Sequence, residues 1–289
     1  MSKKRILIQL DSDSHPSVFD GVVAIDSDVE QLFQYGNVEP SQVRDLVHGA
    51  MFTRGPQDLR STAIFVGGSS VRAGEELLRQ VTSSFFGPLR VSVMLDANGA
   101  NTTAAAAVLA AARHVQLDGA TVLVLAGTGP VGQRAAQLLA RQGAKVRVAS
   151  RSHDRAAAAC TAIAKLIEGA ELVPAQTAND QETDVACQGA DVIIAAGAAG
   201  IQLLSEQARV ASPSLKVVVD LNAVPPLGIE GTEVIDKGED RNGVICYGAI
   251  GVGGTKMKIH KEAIRRLFSS NDLVLDAEQI YAIGSELEG

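Results

Sequence analysis

The hexapeptide Gly127-Thr128-Gly129-Pro130-Val131-Gly132 has the spacing G-x-G-x-x-G. It follows the apolar run 121–126 and precedes an amphipathic stretch, and a further apolar run comes at 145–149. That context places it at the first turn of a βαβ unit. Gly127 would allow the tight turn, Gly129 would let the backbone approach a pyrophosphate, and Gly132 would let helix and strand pack closely. The first amides of the helix would then face the anion. The end of the second strand selects the nucleotide. An NAD site places Asp or Glu there, to hold the ribose 2′-hydroxyl. This chain has Ser150-Arg151-Ser152-His153, and the first carboxylate is Asp154. Arg151 can pair with a 2′-phosphate and stack on adenine, while Ser150 and Ser152 add hydroxyl donors. The residues therefore point to NADP in preference to NAD.

The densest polar cluster is Asp96-Ala97-Asn98-Gly99-Ala100-Asn101-Thr102-Thr103, between an apolar run at 90–95 and an Ala-rich helical stretch. Asn101 or Thr102 could cap that helix. Capping accounts for one or two side chains, whereas ligands in open α/β sheets sit at the C-terminal ends of strands. Asp96, Asn98, Asn101 and Thr102 are therefore read as substrate contacts. Asp20 is a further candidate, although its local sequence suits a surface helix equally well. No lysine occurs between Lys4 and Lys145. A mechanism that needs a lysine from the first domain is thereby excluded. Lys256 and Lys258 follow Gly251-Val252-Gly253-Gly254-Thr255, read as a Gly-rich turn opening a helix. An i, i+2 pair points to different helix faces, so at most one of these lysines should reach a cleft.

These residues need a scaffold of alternating strands and helices. Strands are expected near 5–10, 62–66, 90–95, 121–126, 145–149, 191–195 and 216–220. Helices are expected near 17–25, 40–51, 73–85, 102–113, 131–141, 154–166, 256–268 and 277–287. Such alternation implies an α/β chain with largely parallel sheets. Pro225-Pro226 forces a loop over 222–228. The length of 289 residues suggests two domains. The 26 Lys and Arg against 33 Asp and Glu give a net charge of −7, which argues against nucleic acid as a partner. Cys160, Cys187 and Cys246 are far apart and show no metal-ligand spacing, which suits a reducing compartment and no metal. Ile6-Leu7-Ile8 is too short for a signal-peptide core, and no run approaches a membrane span, so the expected location is the cytoplasm. Glycine is over-represented at 28 residues, which fits many strand-end turns.

Several long segments, in order, resemble the bacterial NADP-dependent methylene-tetrahydromethanopterin dehydrogenases, some of which also accept methylene-tetrahydrofolate. They are Pro16-Ser17-Val18-Phe19-Asp20, Tyr35-Gly36-Asn37-Val38, the run 62–68, the run 94–104, the run 126–132, the run 222–229 and the run 248–254. The resemblance runs nearly end to end. It implies an α/β, two-domain fold: an N-terminal α/β pterin-binding domain (1–115, joined by C-terminal helices 255–289 that return to it) and a Rossmann-type NADP-binding domain (116–254). It implies a cleft between the domains and a homo-oligomer, a trimer. The implied reaction is hydride transfer from the methylene carbon of a reduced pterin to NADP, giving a methenyl cation and NADPH in one-carbon metabolism. Asp20 and Lys256 match family cleft positions. Asp20 would favour the cationic product or orient the pterin, and Lys256 would position the pterin or the nicotinamide side. Asn98, Thr102 and Asp220 would line the substrate pocket, and Asn222 would join the cofactor set. Ser150-Arg151-Ser152 departs from the Gly-Arg-Lys type of run known in the family but keeps the arginine.

Three other readings share features of this sequence. A bifunctional tetrahydrofolate dehydrogenase/cyclohydrolase needs a Tyr-x-x-x-Lys in the first domain, which is missing. A shikimate-dehydrogenase-like enzyme has the same layout but needs a first-domain lysine beside an aspartate. A non-catalytic NADPH-sensing module would bind the nucleotide without turning over a pterin.

Overall fold

The computed structural model describes residues 3–289. The chain divides into two compact units, Met1–Thr102 with Met257–Gly289, and Thr103–Lys256. The breaks fall inside two helices, whereas the sequence suggested 115/116 and 254/255.

The first unit is built on a parallel sheet of β1 (Ile6–Leu10), β2 (Gln31–Tyr35), β3 (Thr62–Val66), β4 (Ser92–Leu95) and the short β12 (Val274–Leu275). Their order is β12-β4-β3-β1-β2. Side chains alternate across the strands. Ile8, Leu10, Ile64 and Val66 pack under α2 (Pro40–Phe52) and α3 (Val71–Ser83). The opposite face carries Gln9, Phe65 and α1 (Val18–Ile25). The chain order reverses between β1 and β3, so the ligand crevice of such a doubly wound sheet lies beyond their carboxyl ends.

The second unit has the order β10-β11-β9-β8-β5-β6-β7. The strands are β5 (Thr121–Leu125), β6 (Lys145–Ser150), β7 (Leu172–Gln176), β8 (Val192–Ala195), β9 (Val217–Asp220), β10 (Lys237–Arg241) and β11 (Val244–Tyr247). Read from β7 to β11, this is the six-strand Rossmann order, with β10 added antiparallel at the edge. Its switch point lies between β5 and β8. The helices include α5 (Pro130–Arg141), α6 (His153–Ala164), α7 (Asp180–Cys187) and α8 (Glu206–Val210). Between the two sheets in sequence, α4 (Ala100–Ala112) is apolar on every side, and Ala104 to Val108 are all 0% exposed. No helix among the described residues is long and apolar enough to cross a membrane.

One expectation needs correcting. The run Gly251–Gly254 is not a loop: α9 spans Ala249–Arg266 and includes it. Close packing on the segment before β10 explains Gly251 and, just before the run, Gly248, whereas an added Cβ on Gly253 or Gly254 would meet nothing within 4 Å. A Cβ on Gly251 would lie 1.8 Å from the Asp236 carbonyl oxygen, and one on Gly248 would lie 2.0 Å from that of Glu233. The chain ends in α10 (Ala277–Glu288), capped by Asp276.

Candidate functional site

At the switch point of the second unit, β5 ends and the glycine motif opens α5. The left-handed residue of this turn is Ala126, at φ 52°, and not Gly127. Gly127 is glycine for lack of room, since a Cβ there would meet the Val124 carbonyl at 2.8 Å and Val148 Cγ1 at 2.9 Å. Gly132 packs in the same way, 2.8 Å from both the Ala126 oxygen and Gly127 Cα. Gly129 differs: the nearest protein atom to an added Cβ is the Ala126 oxygen at 3.4 Å. It is therefore a cradle that a methyl group would fill, as expected where a phosphate approaches the backbone. Pro130 occupies the first helical position, where a missing N–H costs nothing. Gln133 Nε2 donates to the Thr128 carbonyl at 2.8 Å and holds it against the helix. The first-turn amides of Val131 and Gly132 have no acceptor within α5.

β6 pairs in parallel with β5 and ends one residue later than expected, at Ser150. Ser150 is buried and Arg151 beyond it is exposed. Ser152 caps α6 by accepting from the Arg155 amide, and Ser150 Oγ accepts from the Ser152 amide at 3.3 Å. Both hydroxyls keep their own proton to donate. The set Gly127–Gly132 with Ser150, Arg151 and Ser152 thus fits a dinucleotide bearing a 2′-phosphate. Asp220 is the last residue of β9, and Asn222 follows in the loop beyond it. The Asp220 carboxylate accepts from the amides of Asn222 (3.0 Å) and Ile229 (2.9 Å), and burial pushes its pKa up against those bonds. Asn222 accepts from Val224 N and donates to the Pro226 carbonyl. The two side chains fix the shape of the loop 221–228.

In the first unit, the switch point gathers residues that the sequence did not single out. Asp11 is 0% exposed and accepts from the amides of Asp13 (2.9 Å) and Ser17 (3.2 Å). Ser17 caps α1 through the Asp20 amide, so Asp11 anchors the helix that carries Asp20. Gly67 lies beside both carboxylates. On the same side, the buried His260 of α9 stacks on Phe65 with 5.7 Å between ring centroids, and Phe19 is 6.4 Å away. His260 Nδ1 lies 3.9 Å from Asp96 Oδ2. Two buried polar atoms here, Gln9 Nε2 and Ser12 Oγ, have no hydrogen-bond partner among the described residues. The arrangement offers carboxylates, an imidazole and aromatic faces to a polar heterocycle. The clue in the sequence was Asp11, a carboxylate directly after a largely apolar strand.

The Asp96 cluster is largely engaged in its own fold. Asp96 accepts from the amides of Asn101 and Thr102, both at 3.0 Å, and from Thr102 Oγ1 at 2.6 Å. Asn101 donates to the Leu95 carbonyl and to Asp276. Asn98 alone of the four is exposed, held left-handed at φ 55° while its amide donates to the Gly68 carbonyl. Lys256 is half-buried in α9, one turn before His260, and Lys258 is exposed.

Residues 18–98 match the family described as methylene-tetrahydromethanopterin dehydrogenase, N-terminal. Residues 108–230 match the shikimate/quinate 5-dehydrogenase family. The chain is 45% identical to the bifunctional protein MdtA of Methylorubrum extorquens, over 99% of this chain and 100% of that protein. It is 29% identical to the NAD(P)-dependent methylenetetrahydromethanopterin dehydrogenase of the same organism, over 99% of each. Among solved structures, quinate dehydrogenase from Corynebacterium glutamicum in complex with NAD matches 98% of this chain and 100% of its own at 16% identity, with a TM-score of 0.51, a likeness of fold.

Proposed function

Because the chain belongs to the methylene-tetrahydromethanopterin dehydrogenase family, we propose that it is an NADP-dependent oxidoreductase that removes a hydride from the methylene group of methylene-tetrahydromethanopterin, and of methylene-tetrahydrofolate where that carrier is present. The observation that carries this reading is the pairing of the open Gly129 turn with the exposed Arg151 at the ends of two adjacent strands. A nicotinamide cofactor is what this turn serves, and an arginine where a carboxylate would repel a 2′-phosphate favours NADP.

When bound, NADP supplies a hydride acceptor. Gly127, Thr128, Gly129, Pro130, Val131 and Gly132 would hold its pyrophosphate, Ser150, Arg151 and Ser152 its 2′-phosphate end, and Asn222 would complete the cofactor set. The methylene carbon sits between two nitrogens, which stabilise the cation left behind. No strong base is then needed, and the protein's task is to bind, orient and exclude water. In this reading Asp20 stabilises the cationic product, Lys256 orients the pterin or the nicotinamide side, and Asp96, Asn98, Asn101, Thr102 and Asp220 shape the substrate pocket. Asp11, Gln9 and His260 join them from the switch point of the first unit. The reading includes a domain division at 115/116 and 254/255, a homotrimer and a cytoplasmic location. An apolar exposed stripe on α1, Val18, Val22 and Ile25, supports self-association.

Steady-state kinetics with both carriers, each with NADP and NAD, test the proposal. Turnover of at least one methylene pterin with NADP is expected, and both Asp20→Ala and Lys256→Ala should lower kcat by about a hundredfold. Nucleotide binding without turnover of either pterin would favour the sensing module. Near-normal turnover by both variants would remove the roles given to Asp20 and Lys256.

A further inference from the structure

In the second unit, β6 lies on one side of β5, and β8 and β9 lie on the other. The carboxyl ends of these strands differ in chemistry. The end of β6 leads into Arg151, His153, Asp154 and Arg155. The loops 196–203 and 221–228, after β8 and β9, hold no charged residue, in a chain of which 20% is charged. A dinucleotide at a switch point places one half on each side of it. With Arg151 at the 2′-phosphate, the nicotinamide half falls to the side of β8 and β9. The Gly129 turn is open toward that side, since a Cβ on it would lie 3.8 Å from the Ala196 carbonyl oxygen.

The two uncharged loops are fastened to each other. Asn222 is 4% exposed, and its side chain is spent on them. Its Oδ1 accepts from the amides of Val224 at 2.9 Å and Gly200 at 3.4 Å, and its Nδ2 donates to the Pro226 carbonyl at 3.0 Å. The Leu203 amide donates to the Gly228 carbonyl at 2.8 Å. Asp220 holds both feet of the second loop through the amides of Asn222 and Ile229. Gly200 is left-handed at φ 72°, and a Cβ on it would lie 4.0 Å from Val224 Cγ1. Val224 is thus held beside the residue that precedes Ile201. Both side chains remain about half exposed, at 50% and 52%. A buried carboxamide therefore keeps two apolar side chains at the surface, on the side of the crevice that lacks charge.

We infer that Ile201 and Val224 form the apolar surface that receives the nicotinamide ring, and that Asn222 is the positioning residue that holds this surface. Asn222 serves the cofactor through the loops and not by touching it. The inference rests on the NADP reading above. Apolar side chains bury the ring while a few polar groups fix the rest of the ligand. Those polar groups lie at the Gly129 turn and at Arg151, so the two halves of the nucleotide respond separately to substitution.

The test is the binding of two nucleotides to the full-length protein, without substrate. NADPH is followed by the emission of its reduced ring, and 2′-phospho-ADP-ribose, which lacks the ring, by calorimetry. The parent should bind both and shift the NADPH emission to the blue. An Ile201→Ser, Val224→Ser double variant should bind NADPH about tenfold more weakly and lose the blue shift, with 2′-phospho-ADP-ribose within about twofold of the parent. Asn222→Ala should show the same split. Asn222→Asp keeps the acceptor for Val224 and Gly200 and should retain part of the blue shift. A merely structural role for Asn222 would lower the thermal midpoint and leave the ratio of the two affinities unchanged. The inference is overturned by that result, by an equal loss of both nucleotides, or by an unchanged emission in the double variant. A parent that binds neither nucleotide would instead overturn the NADP reading itself.

Discussion

Asp11 and Asp20 converge on one point of the first unit: a Cβ added to Gly67 would stand 3.4 Å from Asp11 Oδ2 and 3.5 Å from Asp20 Oδ2. Asp11 is spent on the backbone of the turn before α1, and Asp20 rides on the first turn of the helix so anchored. The nearest atom to that added carbon is Phe65 Cε1, at 3.1 Å. Gly67→Ala should therefore fold, with a small shift of the Phe65 ring, and crowd the carboxylates. The methylene pterin KM is expected to rise about tenfold with the NADP KM unchanged. Equal rises in both constants would mean that the switch point of the first unit does not hold the pterin.

In the proposed function Arg151 would act chiefly on the 2′-phosphate. Arg151→Ala should raise the NADP KM at least about tenfold and leave kcat/KM with NAD within about twofold. The measurement is initial rate against each nucleotide at saturating pterin. An unchanged NADP KM would make Arg151 a solvated surface charge.

The glycines of the second unit divide by what surrounds them. Gly251→Ala drives a methyl into the Asp236 carbonyl, and Gly132→Ala drives one into the turn at Ala126. Each should lower stability by about 1–3 kcal/mol in urea unfolding. Gly129→Ala meets no protein atom closer than 3.4 Å. It should keep its stability and lose NADP affinity. A Gly129→Ala variant as unstable as the other two would show that the motif serves packing only.

The three thiols are buried, and burial sets their acidity. Cys187 and Cys246 are each pushed up to about 11, and Cys160 is raised in the same direction. Unfolded thiols ionise near pH 8.5. Between that point and the native values the unfolded chain has lost protons that the native chain keeps, so this contribution to stability is present below the window and lost as pH rises through it. The thermal midpoint should fall between about pH 9 and 11, less steeply in a Cys187→Ala, Cys246→Ala double variant. At pH 8 a thiol reagent should label none of the three in the native protein and all three in denaturant.

The motif at 127–132 was legible because its chemistry is local: strand, turn and helix follow each other within one βαβ unit. The helix starts at Pro40 and Ala277, and that of α5 to within one residue, were legible for the same reason, since caps and prolines act on adjacent residues. β7 was missed because Pro174 interrupts an apolar run, which an edge strand tolerates. β10 was missed because Lys237-Gly238-Glu239-Asp240-Arg241 is wholly polar, although Asn242-Gly243 after it is a hairpin signal and both residues have positive φ. The run Gly251–Gly254 misled because glycine disfavours helices, whereas here Gly251 admits the Asp236 carbonyl against the helix. Asp11 and Gly67 directly follow β1 and β3, His260 lies in α9, and only the sheet order brings them together. No local signal could have done so.

The central claim is hydride transfer from a methylene pterin to NADP. Its most direct measurement is a single turnover with methylene-tetrahydromethanopterin deuterated at the methylene carbon, followed by mass analysis of both products. The account predicts one deuterium in the reduced nicotinamide cofactor for each methenyl pterin formed. Both deuterium atoms retained in the pterin, with NADP bound and no reduced cofactor produced, would contradict it.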